Sequence, residues 1–233
     1  MPAHWFTASS RHLASRMKMG ILRFKTMVRI RSIEKPFTSA SLAAKGVAAL
    51  ARADAMGLLP ERERAVTLDA STLGRLAAVL GRAGIGRTLL PRLTSERLRG
   101  EPKALEQFLD QLTEALEASP VPESEWKQLT RVLGFDLLER LLGVSSASIR
   151  RYARTTRATP DDVAARLHWL ALVVGDLSGA YNEIGIRQWF DRKRVQLDGR
   201  TPAHLLAGKW KPDDPGCQRV RNLAHALVDS PAT

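Results

Sequence analysis

The chain has 233 residues, of which 44% are hydrophobic and 6% are aromatic. This composition excludes a fully disordered chain, and the length fits one large domain or two small ones. The formal net charge of +12 produces a positive potential that favours polyanions, with nucleic acid as the first candidate and anionic lipid as the second.

Several protein classes are not expected from the residue content. The single cysteine, Cys217, cannot form an intrachain disulfide or supply a zinc finger, so we expect a reducing compartment, the cytoplasm. The longest apolar stretch, Leu167 to Val174, is far below the roughly 20 residues that cross a bilayer, and the opening residues do not resemble a secretory signal. The histidines lack metal-ligand spacing, so we expect no metal and no cofactor. No set of nucleophile, base and orienting group indicates an enzyme.

The first part of the chain is strongly basic. Before the first acidic residue, Glu34, there are seven basic residues: Arg11, Arg16, Lys18, Arg23, Lys25, Arg29 and Arg31. This head is a basic arm for phosphate, an Arg-rich targeting peptide, or an upstream extension with Met17, Met19 or Met27 as the first residue. We expect residues 1–38 to be a disordered or non-native head.

Residues 39–119 are predicted to be an N-terminal helical region. Its helices are expected to begin at Ser39, near Asp69 or Ser71, and at Pro102, because these residue types start helices and apolar residues follow at three- and four-residue steps. The alternating stretches Val28 to Ile33 and Ala65 to Leu68 are the strand candidates. The predicted fold class is therefore mainly α, with several helices.

Residues 123–158 carry the pattern of a helix-turn-helix. One helix is expected before Gly134, and two more on either side of a tight turn at Gly143. Gly143 supplies the backbone conformation for this turn, and Val144 fills the gap between the helices. Ser145 or Ser146 caps the helix that follows.

The last helix of this segment is predicted to present a DNA-binding surface. With Ile149 and Tyr152 facing inward, serine hydroxyls and arginines remain for phosphate and for the major-groove edge of guanine. The predicted DNA-binding residues are Ser145, Ser146, Ser148, Arg150, Arg151 and Arg154. Glu139 departs from the pattern, because helix-turn-helix sequences usually have a small residue there. A structural helical hairpin with a solvated arginine face is the alternative.

Residues 159–233 are predicted to form a second helical domain. Thr159 and Pro160 start a helix that runs to about Tyr181 and carries apolar residues on both flanks. It is either a dimer seam or, as we expect, a central core helix. After it come Trp189 and Phe190 at a helix end, the run Leu197-Asp198-Gly199-Arg200-Thr201-Pro202, then Leu205-Leu206, Gly208, and a closing helix with Val220, Leu223 and Leu227.

The order and spacing of these elements resemble the Xre/MbcA/ParS-type toxin-binding domain, and the resemblance covers residues 126–233. It implies an antitoxin of a toxin–antitoxin system that binds and neutralises a RES-domain, NAD-degrading toxin and represses its own operon at operator DNA. It also implies a homo-oligomer or a hetero-oligomer with the toxin. The residues implied in toxin binding are Trp189, Phe190, Leu197, Thr201, Pro202, Leu205, Leu206, Val220 and Leu223. The alternative is an orphan DNA-binding regulator of transcription without a toxin partner.

Two parts of the chain depart from this family. The segment from Lys209 to Pro215 is longer and more charged than the usual link before the last helix. Residues 1–119 match no part of the family and are candidates for oligomerisation or a second contact.

Overall fold

A computed structural model describes residues 27–60, 65–89, 91 and 100–229. Within them the fold is mainly α, as predicted, and both strand candidates form strands. The elements are β1 (Arg29–Ile33), α1 (Ala40–Ala55), β2 (Ala65–Leu68), α2 (Ala70–Arg82), α3 (Pro102–Glu117), α4 (Pro122–Leu133), α5 (Phe135–Leu142), α6 (Ser146–Ala153), α7 (Asp161–Ser178), α8 (Glu183–Asp191), a 3-10 turn (Val195–Leu197), α9 (Pro202–Leu205) and α10 (Pro215–Asp229).

The predicted helix starts are confirmed by their capping contacts. The Ser39 side chain accepts a hydrogen bond from the Leu42 amide at 3.2 Å, and α1 begins at the next residue. The Asp69 carboxylate accepts from the Thr72 amide at 2.7 Å at the start of α2. This bond lowers the pKa of Asp69, because a hydrogen bond to the charged form favours that form.

The two strands form a parallel ribbon joined by α1. Arg29 pairs with Ala65, and Ile33 pairs with Leu68. Met27 and Phe37, on either side of β1, are buried. The prediction of a disordered head is therefore wrong for residues 27–38, because they include a paired strand flanked by two buried side chains. Residues 1–26 lie outside the described residues.

Helix α7 lies at the centre of the fold and packs against α1, α4 and α10. Apolar side chains are buried on several sides of this helix, so the expected core helix is confirmed. At Gly175 the helix passes very close to α1, and a Cβ atom there would lie 3.1 Å from the Arg52 Cα. One hydrophobic cluster includes residues of the predicted segments 39–119, 123–158 and 159–233. No helix of the described part is long and apolar enough to span a membrane.

An ionic network built around a buried pair joins α7 to three other helices. The Arg52 guanidinium of α1 lies 3.0 Å from the Asp176 carboxylate of α7 and 3.5 Å from the Glu117 carboxylate of α3. From α10, Arg221 pairs with Glu117 at 2.8 Å, and His225 lies 3.6 Å from Asp176. Burial raises the pKa of Asp176, and Arg52 is the strongest of the charges that oppose this rise. The network therefore depends on Arg52 to hold a buried carboxylate.

Candidate functional site

Helices α4, α5 and α6 form a compact group in which each helix contacts the other two. We call this group the tri-helical unit. Trp126, Leu138 and Ile149 are fully buried within it. The Trp126 indole stacks on the Tyr152 ring with centroids 5.5 Å apart, so α4 and α6 are held together by their largest apolar side chains.

Polar contacts fix the tri-helical unit on the rest of the fold. Trp126 Nε1 donates to Thr159 Oγ1 at 2.9 Å, just before α7. On α7, His168 Nδ1 lies 2.6 Å from Glu125 Oε1, and His168 Nε2 lies 2.9 Å from the Glu117 carbonyl oxygen. Because a carbonyl only accepts, Nε2 must carry a proton. Three elements, α3, α4 and α7, thus meet at one buried histidine.

The turn between α5 and α6 has the predicted form. Gly143 has φ +64°, in the left-handed region that favours glycine. A Cβ atom at Gly143 would lie 2.9 Å from the Gly208 carbonyl oxygen, so both backbone conformation and space require glycine here. Ser145 caps α6, accepting a hydrogen bond from the Ser148 amide at 3.3 Å.

Helix α6 presents one face to solvent and buries the other. Ile149 and Tyr152 are buried, whereas Ala147, Arg150, Arg151 and Arg154 are exposed. At 3.6 residues per turn these four exposed positions fall within about 100° of arc. We call them the α6 face.

Within the described ranges, the arginines of the α6 face have no neutralising carboxylate. Among the described residues, no carboxylate forms an ion pair with Arg150, Arg151 or Arg154. The Arg150 guanidinium lies over the Phe135 ring, 5.0 Å from its centroid. This stacking restricts Arg150 while leaving its donors open, as is typical of arginines that bind anions or base edges.

The three predicted serines are occupied with capping. Ser145 Oγ lies 3.1 Å from Ser148 Oγ, and the Ser146 amide donates to the Glu139 carboxylate at 3.2 Å. The Ser146 hydroxyl also bonds to Glu139. A carboxylate therefore takes the place at the start of α6 that would attract a phosphate. The cationic side chains are the groups left to contact an anion.

Most of the residues implied in toxin binding pack inside the protein. Trp189, Phe190, Leu197, Pro202, Leu206 and Val220 are buried, whereas Thr201, Leu205 and Leu223 are half-buried. Thr201 caps α9 by accepting from the His204 amide at 3.1 Å. The six buried side chains are not available for contact with a partner in this structure. A partner at this end of the molecule would contact Thr201, Leu205 and Leu223 and their exposed neighbours.

One exposed neighbour was missed by the sequence reasoning. Val195, in the 3-10 turn, is 89% exposed. Arg219 of α10 fixes the turn by donating to the Gln196 carbonyl at 2.6 Å and to Asp198 Oδ2 at 2.8 Å. The Arg219 guanidinium also lowers the pKa of Asp198. A valine between polar residues gives no sequence signal of exposure, because the same pattern occurs in half-buried strands.

Trp210 was also missed, although it lies in the charged segment that departs from the family. It is 4% exposed, and its Nε1 donates to the Leu141 carbonyl oxygen at the end of α5, at 2.7 Å. Its ring meets the Trp169 ring of α7 edge to face, with centroids 4.9 Å apart. A tryptophan between two lysines was the available signal, because its large apolar ring needs burial.

The chain matches no family model, no curated protein and no solved structure. Its function is therefore inferred from the geometry and charge of the described residues and from the resemblance of residues 126–233.

Proposed function

We propose that this protein binds DNA through the tri-helical unit, with α6 as the recognition helix of a helix-turn-helix. The observation that carries the proposal is the α6 face. Its arginines pair with no carboxylate in the part of the chain that the structure describes, and they lie on a short helix that follows a tight glycine turn. Arginine donates two hydrogen bonds to guanine in the major groove, or contacts phosphate. The net charge of +12 favours approach to a polyanion.

The order of residues along α6 fits entry into a major groove. In a helix-turn-helix the first residues of the second helix meet the base edges, while the preceding helix crosses the backbone. Ala147 is the first exposed residue within α6, and its small methyl permits close approach and suits contact with the methyl group of thymine. Arg150 and Arg151 follow about one turn later and Arg154 about two turns later, which would bring them near bases and flanking phosphates.

The proposed cellular role is that of an antitoxin that neutralises a RES-domain toxin and represses its own operon. This part rests on the resemblance of residues 126–233 to the Xre/MbcA/ParS-type toxin-binding family. The exposed Val195 and the half-buried Thr201, Leu205 and Leu223 would then lie in or near the toxin contact. An orphan DNA-binding regulator without a toxin is the second candidate, and it shares the α6 observation.

DNA binding is tested by selecting duplexes from a random pool with the purified chain and measuring affinity as a function of salt. We expect sequence-specific binding in which log K falls linearly with log salt, with a slope of about −0.9 per phosphate contact. Equal affinity for selected and unselected duplexes would reject the recognition-helix assignment.

Toxin binding is tested by co-expression with the product of the adjacent gene. A RES-domain neighbour should co-purify with the chain, and its depletion of cellular NAD should be prevented. If such a neighbour neither co-purifies nor is neutralised, the antitoxin role fails. Specific DNA binding without a toxin neighbour would support the orphan regulator instead.

Changing Glu139 to Gln is expected to tighten DNA binding about fivefold, because a unit charge near phosphates costs roughly 1 kcal/mol in a solvated interface. Gln keeps an oxygen that accepts from the Ser146 amide. The control is Glu114→Gln on α3, which makes the same charge change outside the tri-helical unit. The measurement is the Kd for the selected duplex, and equal effects of the two substitutions would contradict the placement of Glu139 beside DNA.

A further inference from the structure

The charged segment before α10 lies against the turn of the tri-helical unit. The Gly208 backbone contacts Gly143, as shown by the 2.9 Å between a Cβ built at Gly143 and the Gly208 carbonyl oxygen. Two residues later, Trp210 is hydrogen-bonded to Leu141 and packed on Trp169. Both contacts on the tri-helical unit fall at the end of α5 or in the turn that leads to α6.

Lys209 is therefore held at this turn by the residues on both sides of it. Lys209 directly follows Gly208, which contacts Gly143, and consecutive Cα atoms are about 3.8 Å apart. The Lys209 backbone therefore lies one residue from this contact. Its side chain is exposed, and no carboxylate of the described residues pairs with it. An exposed lysine thus lies between two residues that contact the end of α5 and the turn leading to α6.

Lys211, on the other side of Trp210, has different surroundings. Its backbone amide donates to Asp214 Oδ2 at 2.8 Å, and Asp213 and Asp214 lie just before α10. These two carboxylates reduce the attraction of an anion to Lys211. Two exposed lysines, separated by one buried tryptophan, therefore differ in their separation along the chain from the Gly208 contact and in the carboxylates next to them.

We propose that Lys209 contacts a DNA phosphate beside the groove that α6 enters, so that the segment before α10 forms a second part of the DNA interface. This inference rests on the proposed function. In a helix-turn-helix the start of the recognition helix is closest to the DNA, so groups at the preceding turn face flanking phosphates. At the start of α6 the Ser146 amide already donates to the Glu139 carboxylate, so this amide is not available to a phosphate. A lysine near this turn would supply a positive charge for the phosphate instead.

The test compares Lys209→Gln with Lys211→Gln, two variants with the same change in charge. The probes are a duplex selected by the wild-type chain and a mixed-sequence duplex of equal length. For Lys209→Gln we expect about three- to tenfold weaker binding to both probes and a salt slope reduced by about 1, as for loss of one phosphate contact. Lys211→Gln should change the affinity less than twofold, and Lys209→Arg should retain the slope.

The outcomes separate this inference from the proposed function. If the wild-type chain binds DNA and Lys209→Gln leaves the affinity and slope unchanged, or matches Lys211→Gln, the second contact is rejected while the role of α6 stands. If the wild-type chain binds neither probe at any salt concentration, both proposals fail. Thermal unfolding of each variant verifies that the fold is retained, as expected for substitutions of exposed lysines.

Discussion

Changing Arg52 to Met is expected to lower the free energy of unfolding by about 3–5 kcal/mol near neutral pH, since it leaves a buried charge without its partner. The Arg52 and Asp176 side chains are only 4% and 1% exposed, and their charged atoms are 3.0 Å apart. Met fills much of the space of the arginine stem, so the loss arises mainly from Asp176, which keeps only the weaker charges of Arg221 and His225 nearby. For a chain of this size we expect the thermal midpoint to fall by roughly 6–20 °C.

The loss should depend on pH in a definite direction. Burial already raises the pKa of Asp176 above its ordinary value of 3.8, and removing Arg52 raises it further. A carboxyl group with a raised folded-state pKa stabilises the fold most below its unfolded pKa and loses this stability as pH rises through the folded pKa. The gap between wild type and Arg52→Met, measured by urea denaturation, should therefore widen from about pH 4 to about pH 7. A constant gap would contradict the proposed cause.

A second variant separates charge from packing. Arg52→Met combined with Asp176→Leu removes both charges, and replacing a buried ion pair by apolar side chains is often neutral or stabilising. We expect this double variant to recover most of the stability, because Glu117 keeps Arg221 as a partner at 2.8 Å. If the double variant is as unstable as Arg52→Met, the lost free energy of unfolding arises from the packing of α1 against α7 and not from the buried charge.

Changing Arg150 and Arg151 together to Ala is expected to weaken binding to the selected duplex about 100-fold or more, because each arginine contact with DNA contributes about 1–3 kcal/mol. Folding should be retained, since both side chains are exposed and the Arg150 contact with Phe135 contributes only about 0.5–1 kcal/mol. Binding to a toxin partner, measured by co-purification, should not change. The readouts are Kd and its salt dependence.

The matched control removes two arginines elsewhere. Arg82 and Arg87 are exposed residues at the end of α2 and just after it, outside the tri-helical unit. Their double alanine variant lowers the net charge equally and should weaken DNA binding by less than about threefold, through long-range electrostatics alone. Equal losses in the two double variants would show that net charge, and not the α6 face, accounts for the affinity.

The elements that were predicted correctly from the sequence are formed by residues that lie close together in the chain. Ser39 and Asp69 cap helices whose first amides are three residues away, and Gly143 supplies a turn between adjacent helices. Such contacts use local geometry, which residue type and spacing specify. For the same reason the inward positions Ile149 and Tyr152 were predicted correctly.

The features that sequence did not reveal depend on distant partners. Trp210 bonds to Leu141, 69 residues earlier in the chain, and β1 pairs with β2 across a complete helix. Periodicity identifies a buried face but does not specify what covers it. The residues that the resemblance implies in toxin binding show this directly, because Trp189 and Leu206 are among them and yet are buried. Motif positions there maintain the fold, and exposed positions around them are the ones available to a partner.

The separation of the two sides of α6 has a consequence for how this protein can diverge. Its buried side is fixed by contacts with Trp126 and the rest of the tri-helical unit, whereas the residues of the α6 face are exposed and Arg150 lies over the ring of Phe135. Substitutions at Ala147, Arg150, Arg151 and Arg154 can therefore accumulate at little cost in stability. If α6 reads DNA as proposed, a gene duplicate could acquire a new operator through a few surface changes, and a library randomised at these positions would test this on an unchanged scaffold.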